Sequence, residues 1–403
     1  EDLIEREDMV VTITQSGWIK RTPLADFRAQ KRGGKGLSGM ATKDDDVVTS
    51  LFVANTHTQL LFFTTDGMAY KLKTWRLPQG GRTAKGKAIV NILPIPTGVS
   101  VAAIMPVDRP EEEWNDLQIV FATDAGTVRR NRLSDFTNVK SNGKIAMKFE
   151  DENAGMSLIN ARICSEEDDV MLVTNSGRAI RFPTTDVRVF NSRNSVGVRG
   201  IRLSGEDKVV SMSVIRHFEA SSEERVAYLK QRRLMAGLTE EEAASDDEDE
   251  TAVAGQLSPE RYAEMSAVEN LILTITAKGA GKLSSSHDYP VRGRGGLGVT
   301  AWTKSMSNGP IIACFPVEMP DQVMLATSKG QSIRIPVDGI SFRSRSAGGV
   351  RVFNTGKNEE VVSVAWIADR GDEDEDGDQD DTQTDTQAEN QTEAQDQSAP
   401  DQD

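Results

Sequence analysis

Seven consecutive residues, Gln30-Lys31-Arg32-Gly33-Gly34-Lys35-Gly36, join three cations to three glycines without one apolar side chain. Glycine lets backbone amides approach a ligand closely and adopt positive φ, and Lys31, Arg32 and Lys35 add mobile positive charge. The segment suits an exposed anion-binding loop, with phosphate as the first ligand to consider. A short basic glycine-rich loop also suits an ordinary solvated turn, and the heptad alone leaves both readings open.

Other basic positions recur along the chain. They are Arg82, Lys85 and Lys87; Lys144 and Lys148; Arg193 and Arg199; Arg292 and Arg294; and Arg343, Arg345 and Arg351. A second set, Arg129, Arg130, Arg178 and Arg181 with Lys20 and Lys282, follows short β-rich runs. Catalytic chemistry has less to work with. His57, His217 and His287 are scattered, with no acidic or Cys partner at metal-ligand spacing, and each is expected on the surface or in a turn. No P-loop, G-x-S-x-G or H-E-x-x-H pattern occurs. The acidic runs lack the spacing of a Ca²⁺ loop, so no metal site is expected. Cys164 and Cys314 lie in strand-like surroundings and are expected to be buried free thiols.

The elements that must position these cations repeat. A β-rich run, a polar turn with Gly and a second short strand with Lys or Arg recur six times, and the turn glycines are Gly17, Gly67, Gly126, Gly177, Gly279 and Gly330. Their spacing is close to 50 residues, except where an insertion over residues 218–265 separates units four and five. Each T-x-x-G turn is a hairpin signal, and each unit closes with another β-rich run, as in Val47–Val53 or Val209–Ile215. About four strands per repeat is the content of one propeller blade, so the expected fold is all-β with six blades around a common axis. In the insertion, Ser221-Ser222-Glu223-Glu224 reads as a capping box opening a short surface helix that stops near Gly237. Residues 240–250 are too acidic to pack and are expected to be a solvated excursion.

The 403 residues carry a net charge of −15, which is unevenly distributed. Residues 369–403 hold −14 and residues 219–250 hold −7, leaving the remaining body at +6. The chain therefore reads as a mildly basic body with two acidic appendages, the second a disordered tail. Loops projecting from radially arranged blades would set the cations in a ring, which matches a curved polyanion better than a small ligand. Few aromatics accompany them, so phosphate contacts along a duplex fit better than stacking on unpaired bases. No apolar run of about 18 residues and no leader is present, so a cytoplasmic location is expected.

Six units of about 50 residues with this heptad in the first resemble the family of C-terminal domains of DNA gyrase A. The likeness covers residues 9–368 apart from the insertion, with residues 1–8 as a linker from a preceding catalytic part. The family heptad is Gln-Arg-Arg-Gly-Gly-Lys-Gly. Here Lys31 takes its second position, which keeps the charge and loses the guanidinium fork. The resemblance implies a six-bladed β-pinwheel with strands exchanged between blades, which wraps duplex DNA with little regard to sequence. It implies a non-catalytic chain without a cofactor of its own, ATP and Mg²⁺ serving only a heterotetrameric holoenzyme formed with the rest of gyrase A and with gyrase B. The homologous domain of a topoisomerase IV A-type subunit is a nearby alternative, although it tends to lack the heptad. A protein-interaction propeller for acidic partners is a more distant one.

Overall fold

Every repeat begins with a hairpin whose turn the sequence marks T-x-x-G. At all six turns the glycine has φ between 76° and 94°, a region in which a side chain is strained. The threonine hydroxyl accepts the amide of the residue four positions on, at 3.0 to 3.3 Å, from Trp18, Met68, Thr127, Arg178, Ala280 and Gln331. The turn thus satisfies an amide that the ladder leaves unpaired, and these threonines are buried. Thr174→Val keeps the shape and removes the acceptor, so it is expected to lower stability by about 1–2 kcal/mol, read as a lower urea midpoint.

The computed structural model describes residues 1–14, 16–29, 48–81, 83–243 and 255–367. Among these the strands form six small sheets. In sheet one, Asp8–Thr14 pairs with Trp18–Pro23 on one side and with the returning strand Val48–Asn55 on the other. Sheets two to six repeat this with the returning strands Val101–Val107, Leu158–Cys164, Val209–Arg216, Ile311–Val317 and Val361–Ile367. Apolar clusters fill the space between successive sheets; one holds Leu61, Phe63, Phe121, Phe136 and Trp114, its three phenylalanines packed edge to face. Val361–Ile367 of sheet six lies beside Val48–Asn55 of sheet one, which brings the last blade back to the first.

The outermost strand of sheets one to five is supplied by the next unit. Lys87–Ala88 of unit two pairs with Trp18–Ile19, and Lys144–Ile145 of unit three with Met68–Ala69. Val198–Arg199, Val299–Thr300 and Val350–Arg351 do the same on sheets three, four and five. This is the strand exchange of a β-pinwheel. Sheet six has three strands among the described residues, and the unit-one loop with the heptad lies outside them.

Helix α1 (Leu24–Ala29) follows the first hairpin, and the described residues of the insertion form α2 (Ser222–Met235), α3 (Glu240–Ala243) and α4 (Pro259–Ala267). The capping box is present, with Ser221 Oγ accepting the Glu224 amide and Glu224 Oε1 accepting the Ser221 amide. Of residues 240–250, expected to be solvated, Glu240, Glu241 and Glu242 are exposed, whereas the flanking parts of the insertion pack. Tyr228, Leu229 and Met265 are buried with Phe218 and Tyr262 around them, and Arg233 is buried against Asp288. His287, expected on the surface or in a turn, lies in the 3-10 turn Ser286–Asp288 and is buried beneath α2, its ring 4.9 Å from that of Tyr228 and its Nε2 2.7 Å from Met265 O. Residues 244–254, the rest of the acidic run, lie outside the described residues, as does the tail from residue 368. Cys164 and Cys314 are buried free thiols, pushed by burial up to about 12 and about 11. Among the described residues no helix is long and apolar enough to cross a membrane.

Candidate nucleic-acid interface

The recurring cations divide into two populations according to which side of the exchanged strand they occupy. In the first, the side chain lies beneath the incoming loop of the next unit. Lys20 Nζ donates to Gly81 O at 3.0 Å and Ala84 O at 2.8 Å. Arg129 donates to Arg193 O at 2.9 Å and also to Ser195 O and Ala146 O. Lys282 Nζ reaches Ala301 O, Ser344 O, Arg345 O and Ala347 O at 2.5 to 3.1 Å, over the Trp302 ring. Each of these cations stands three residues after the turn glycine of an odd-numbered unit. Units two, four and six carry Tyr70, Ile180 and Ile333 there.

Their chemistry is that of clips. A loop lying on another blade leaves carbonyls facing inward, and a buried cation supplies the donors they would otherwise lack. Burial pushes Arg129 down to about 10, Arg345 to about 9 and Lys282 to about 7, and the converging carbonyls favour the charged form of each. Glycine permits the same close approach one step later. A Cβ on Gly197 would stand 2.0 Å from Val128 O, and one on Gly298 would stand 2.2 Å from Ala179 O.

Six residues expected on the rim are therefore interior, the buried Lys20 and Lys282 among them. Arg129 is buried as described, and Arg130 is buried with Nε on Val187 O at 2.7 Å and Nη1 on Gln118 Oε1 at 2.7 Å. Arg181 is buried against Asp169 at 2.9 Å, and Arg345 donates through Nε to Asp288 O at 2.6 Å. The second population is on or near the surface. Lys85, Lys87, Arg199, Arg292, Arg294 and Arg351 are exposed, with Lys85 Nζ 4.3 Å from the Trp18 ring centroid. Lys144, Lys148, Arg178, Arg193 and Arg343 are half-buried: Lys144 donates to Asp135 O at 2.6 Å and Arg178 Nε to Leu297 O at 3.2 Å. Gln30 to Gly36 and Arg82 lie outside the described residues.

The exposed set is densest where units four and five meet. Arg294 donates to Asp186 O and to Arg199 O, both at 3.0 Å, and the Gly295 amide donates to Gly200 O at 2.7 Å. The Arg202 amide reaches Gly296 O at 2.8 Å, so Arg199, Arg202, Arg292 and Arg294 occupy two adjoining loops. Arg202 is absent from the cations that the sequence singles out; its position three residues after Arg199 on an outer loop is the signal that could have found it. Behind them, Asp169 takes both Arg181 and His217 Nδ1 at 2.8 Å, while His217 Nε2 faces Glu219 at 2.6 Å. Glu219 and then Asp169 hold the imidazole above its ordinary value, against partial burial. Its stabilising contribution is therefore present below the unfolded value of 6.5 and is lost as pH rises through the folded one. His217→Gln is expected to lower stability by up to about 1 kcal/mol at pH 5.5 and by less at pH 8.5, measured by urea unfolding at both.

Comparison with known proteins places this architecture among relatives. The model of the family described as the DNA gyrase C-terminal domain, a β-propeller, matches residues 8–55, 58–108, 118–160, 168–216, 270–301 and 321–365. The DNA gyrase A protein of Granulibacter bethesdensis is 45% identical over 94% of this chain, which covers 41% of that protein. The DNA gyrase A protein of Haemophilus influenzae is 36% identical over 93% of the chain, covering 39% of its own length. The chain thus spans about two fifths of these relatives. Among solved structures, the C-terminal domain of DNA topoisomerase IV has a TM-score of 0.64 at 21% identity, covering 91% of this chain and 95% of that one. The DNA gyrase A C-terminal domain has a TM-score of 0.61 at 21% identity, covering 90% and 100%.

Proposed function

This chain belongs to the family of DNA gyrase C-terminal β-propeller domains, and on that premise we propose that it is the DNA-wrapping part of a gyrase A protein. The observation that carries the reading is the cation on the exchanged strand. Four of the five outermost strands among the described residues bear one, Lys87, Lys144, Arg199 and Arg351. Bending a 20–30 bp site through 40–90° costs of order 1–6 kcal/mol, so a wrapping surface needs phosphate contacts spread along an arc rather than one strong site. Cations on the edges of several blades supply that arc, and the heptad of unit one would extend it.

The buried clips serve the same function from within, by holding the loops on which the exposed cations ride. Strand passage, ATP hydrolysis and Mg²⁺ belong in this reading to a holoenzyme with the rest of gyrase A and with gyrase B, in the cytoplasm. The two solved folds do not separate gyrase from topoisomerase IV, whereas the heptad and the relatives named as gyrase A proteins favour gyrase. The test is topological. The chain is mixed with relaxed circular DNA and a nicking-closing enzyme, with and without the changes K31A, R32A and K35A. A linking-number shift that the triple variant diminishes, with log affinity falling linearly in log salt, is expected. Unshifted circles or a flat salt response would refute wrapping.

A further inference from the structure

The insertion does not merely sit between units four and five; its contacts reach the outer loop of unit six. Helix α2 is fixed from below, with Arg233 Nη2 on Asp288 Oδ2 at 2.7 Å and Arg225 Nη1 on His287 O at 3.2 Å. The other Asp288 Oδ2 contact is the Arg345 amide of the unit-six loop at 2.8 Å, so one carboxylate joins insertion and loop. On the outer side, the Arg232 guanidinium lies 4.3 Å from the Phe342 ring centroid. Arg343 is the next residue, its backbone fixed by its amide on Leu283 O at 2.7 Å.

Helix α3 completes the contact. Thr239 Oγ1 accepts the Glu242 amide at 3.3 Å and Glu242 Oε2 accepts the Thr239 amide at 2.9 Å, a second capping box. That bond orients the carboxylate so that its other oxygen, Oε1, stands 3.6 Å from Arg343 Nη1. Lys230 Nζ, 3.8 Å from Glu240 Oε2, ties α3 back to α2. The unit-six loop is therefore covered twice. Arg345 is buried, although Arg294 at the same register in unit five, four residues before the corresponding glycine, is exposed.

We infer that α3 is an acidic cover over the unit-six edge of the perimeter, with Glu242 holding Arg343 in the place of a phosphate that duplex DNA must supply to displace it. The inference rests on the proposed wrapping function. The pair is part-exposed, and such pairs are weak and screened by salt, so the cover gates the edge without closing it permanently. Because glutamine also completes a capping box, E242Q removes the charge and keeps the helix start.

The test is a cycle on the full chain: wild type, E242Q, R343Q and the double variant, each titrated with linear duplex over a salt series. E242Q is expected to bind several-fold tighter at low salt, with a log–log slope steeper by about 0.9. R343Q alone should change little, and in the double variant the gain should vanish. A gain that persists without Arg343, or an E242Q slope equal to wild type, overturns the cover. A second readout needs no DNA: modification of Arg343 by phenylglyoxal, followed by peptide mapping, should be several-fold faster in E242Q. Equal rates overturn the cover while leaving wrapping intact. If none of the four proteins binds DNA while Arg343 is unmasked in E242Q, the wrapping proposal fails, and a role for the cover in DNA binding fails with it.

Discussion

Replacing Lys282 by Met is expected to destabilise the chain by about 3–5 kcal/mol, more than any single exposed cation on the perimeter would. Methionine retains most of the stem volume and offers no donor. The ammonium is fully buried and is shared among Ala301 O, Ser344 O, Arg345 O and Ala347 O. Each buried carbonyl left without a partner costs about 1–3 kcal/mol, and the loop can relax to recover part of that loss. The damage should spread along the exchanged strand, since the same loop leads into Val350–Arg351 on the edge of sheet five. Hydrogen exchange at Gly281 and Arg351 should accelerate before that at Leu273 in the middle of the sheet. The control is Lys140→Gln at an exposed position, expected within about 0.5 kcal/mol of wild type. A K282M urea midpoint equal to that of the control would mean that the carbonyls find other partners and that the clip is dispensable.

The same residue shows where sequence reasoning can follow the chain and where it cannot. The six hairpins are legible because their causes are local: a glycine at positive φ and a threonine hydroxyl four residues from the amide it accepts. Fold class follows from counting them. The exchanged strands are not legible from periodicity, since Lys87–Ala88 is two residues long and shows no alternation. Lys20, Arg129 and Lys282 read as rim charges because a cation after a β-run looks the same facing water or facing carbonyls. What separates the two is a loop about 60 residues later, as Arg129 and Ser195 show. A hint is nevertheless present, in that these three recur at the same distance from the turn glycine in alternate units only. The insertion follows the same logic. Its charge dominates its composition, whereas the contacts that dock it run from Arg233 to Asp288 and from Arg232 to Phe342.

Division of the cations into clips and contacts predicts opposite behaviour for two sets of arginines, and the larger effect on DNA belongs to the exposed set. Changing Arg199, Arg202, Arg292 and Arg294 together to Gln should weaken duplex binding by on the order of a hundredfold to a thousandfold at 0.1 M salt. If each contacts one phosphate, the log–log salt slope should become shallower by about 3.6. The loss should be uniform across duplex sequences, since phosphate contacts carry no base information. Stability should change little, because these side chains are exposed and the amides of Gly295 and Arg202 still pair the two loops. Arg129→Met should show the reverse at low temperature: a lowered urea midpoint, with the salt slope of the remaining folded protein close to wild type. The reason is geometric. A guanidinium facing Ser195 O and Ala146 O beneath a loop cannot reach a phosphate without unfolding that loop. A quadruple variant that keeps the wild-type slope would remove the units-four-and-five edge from the path of the duplex. An R129M protein with normal stability and a shallower slope would mean that the buried set opens to meet DNA.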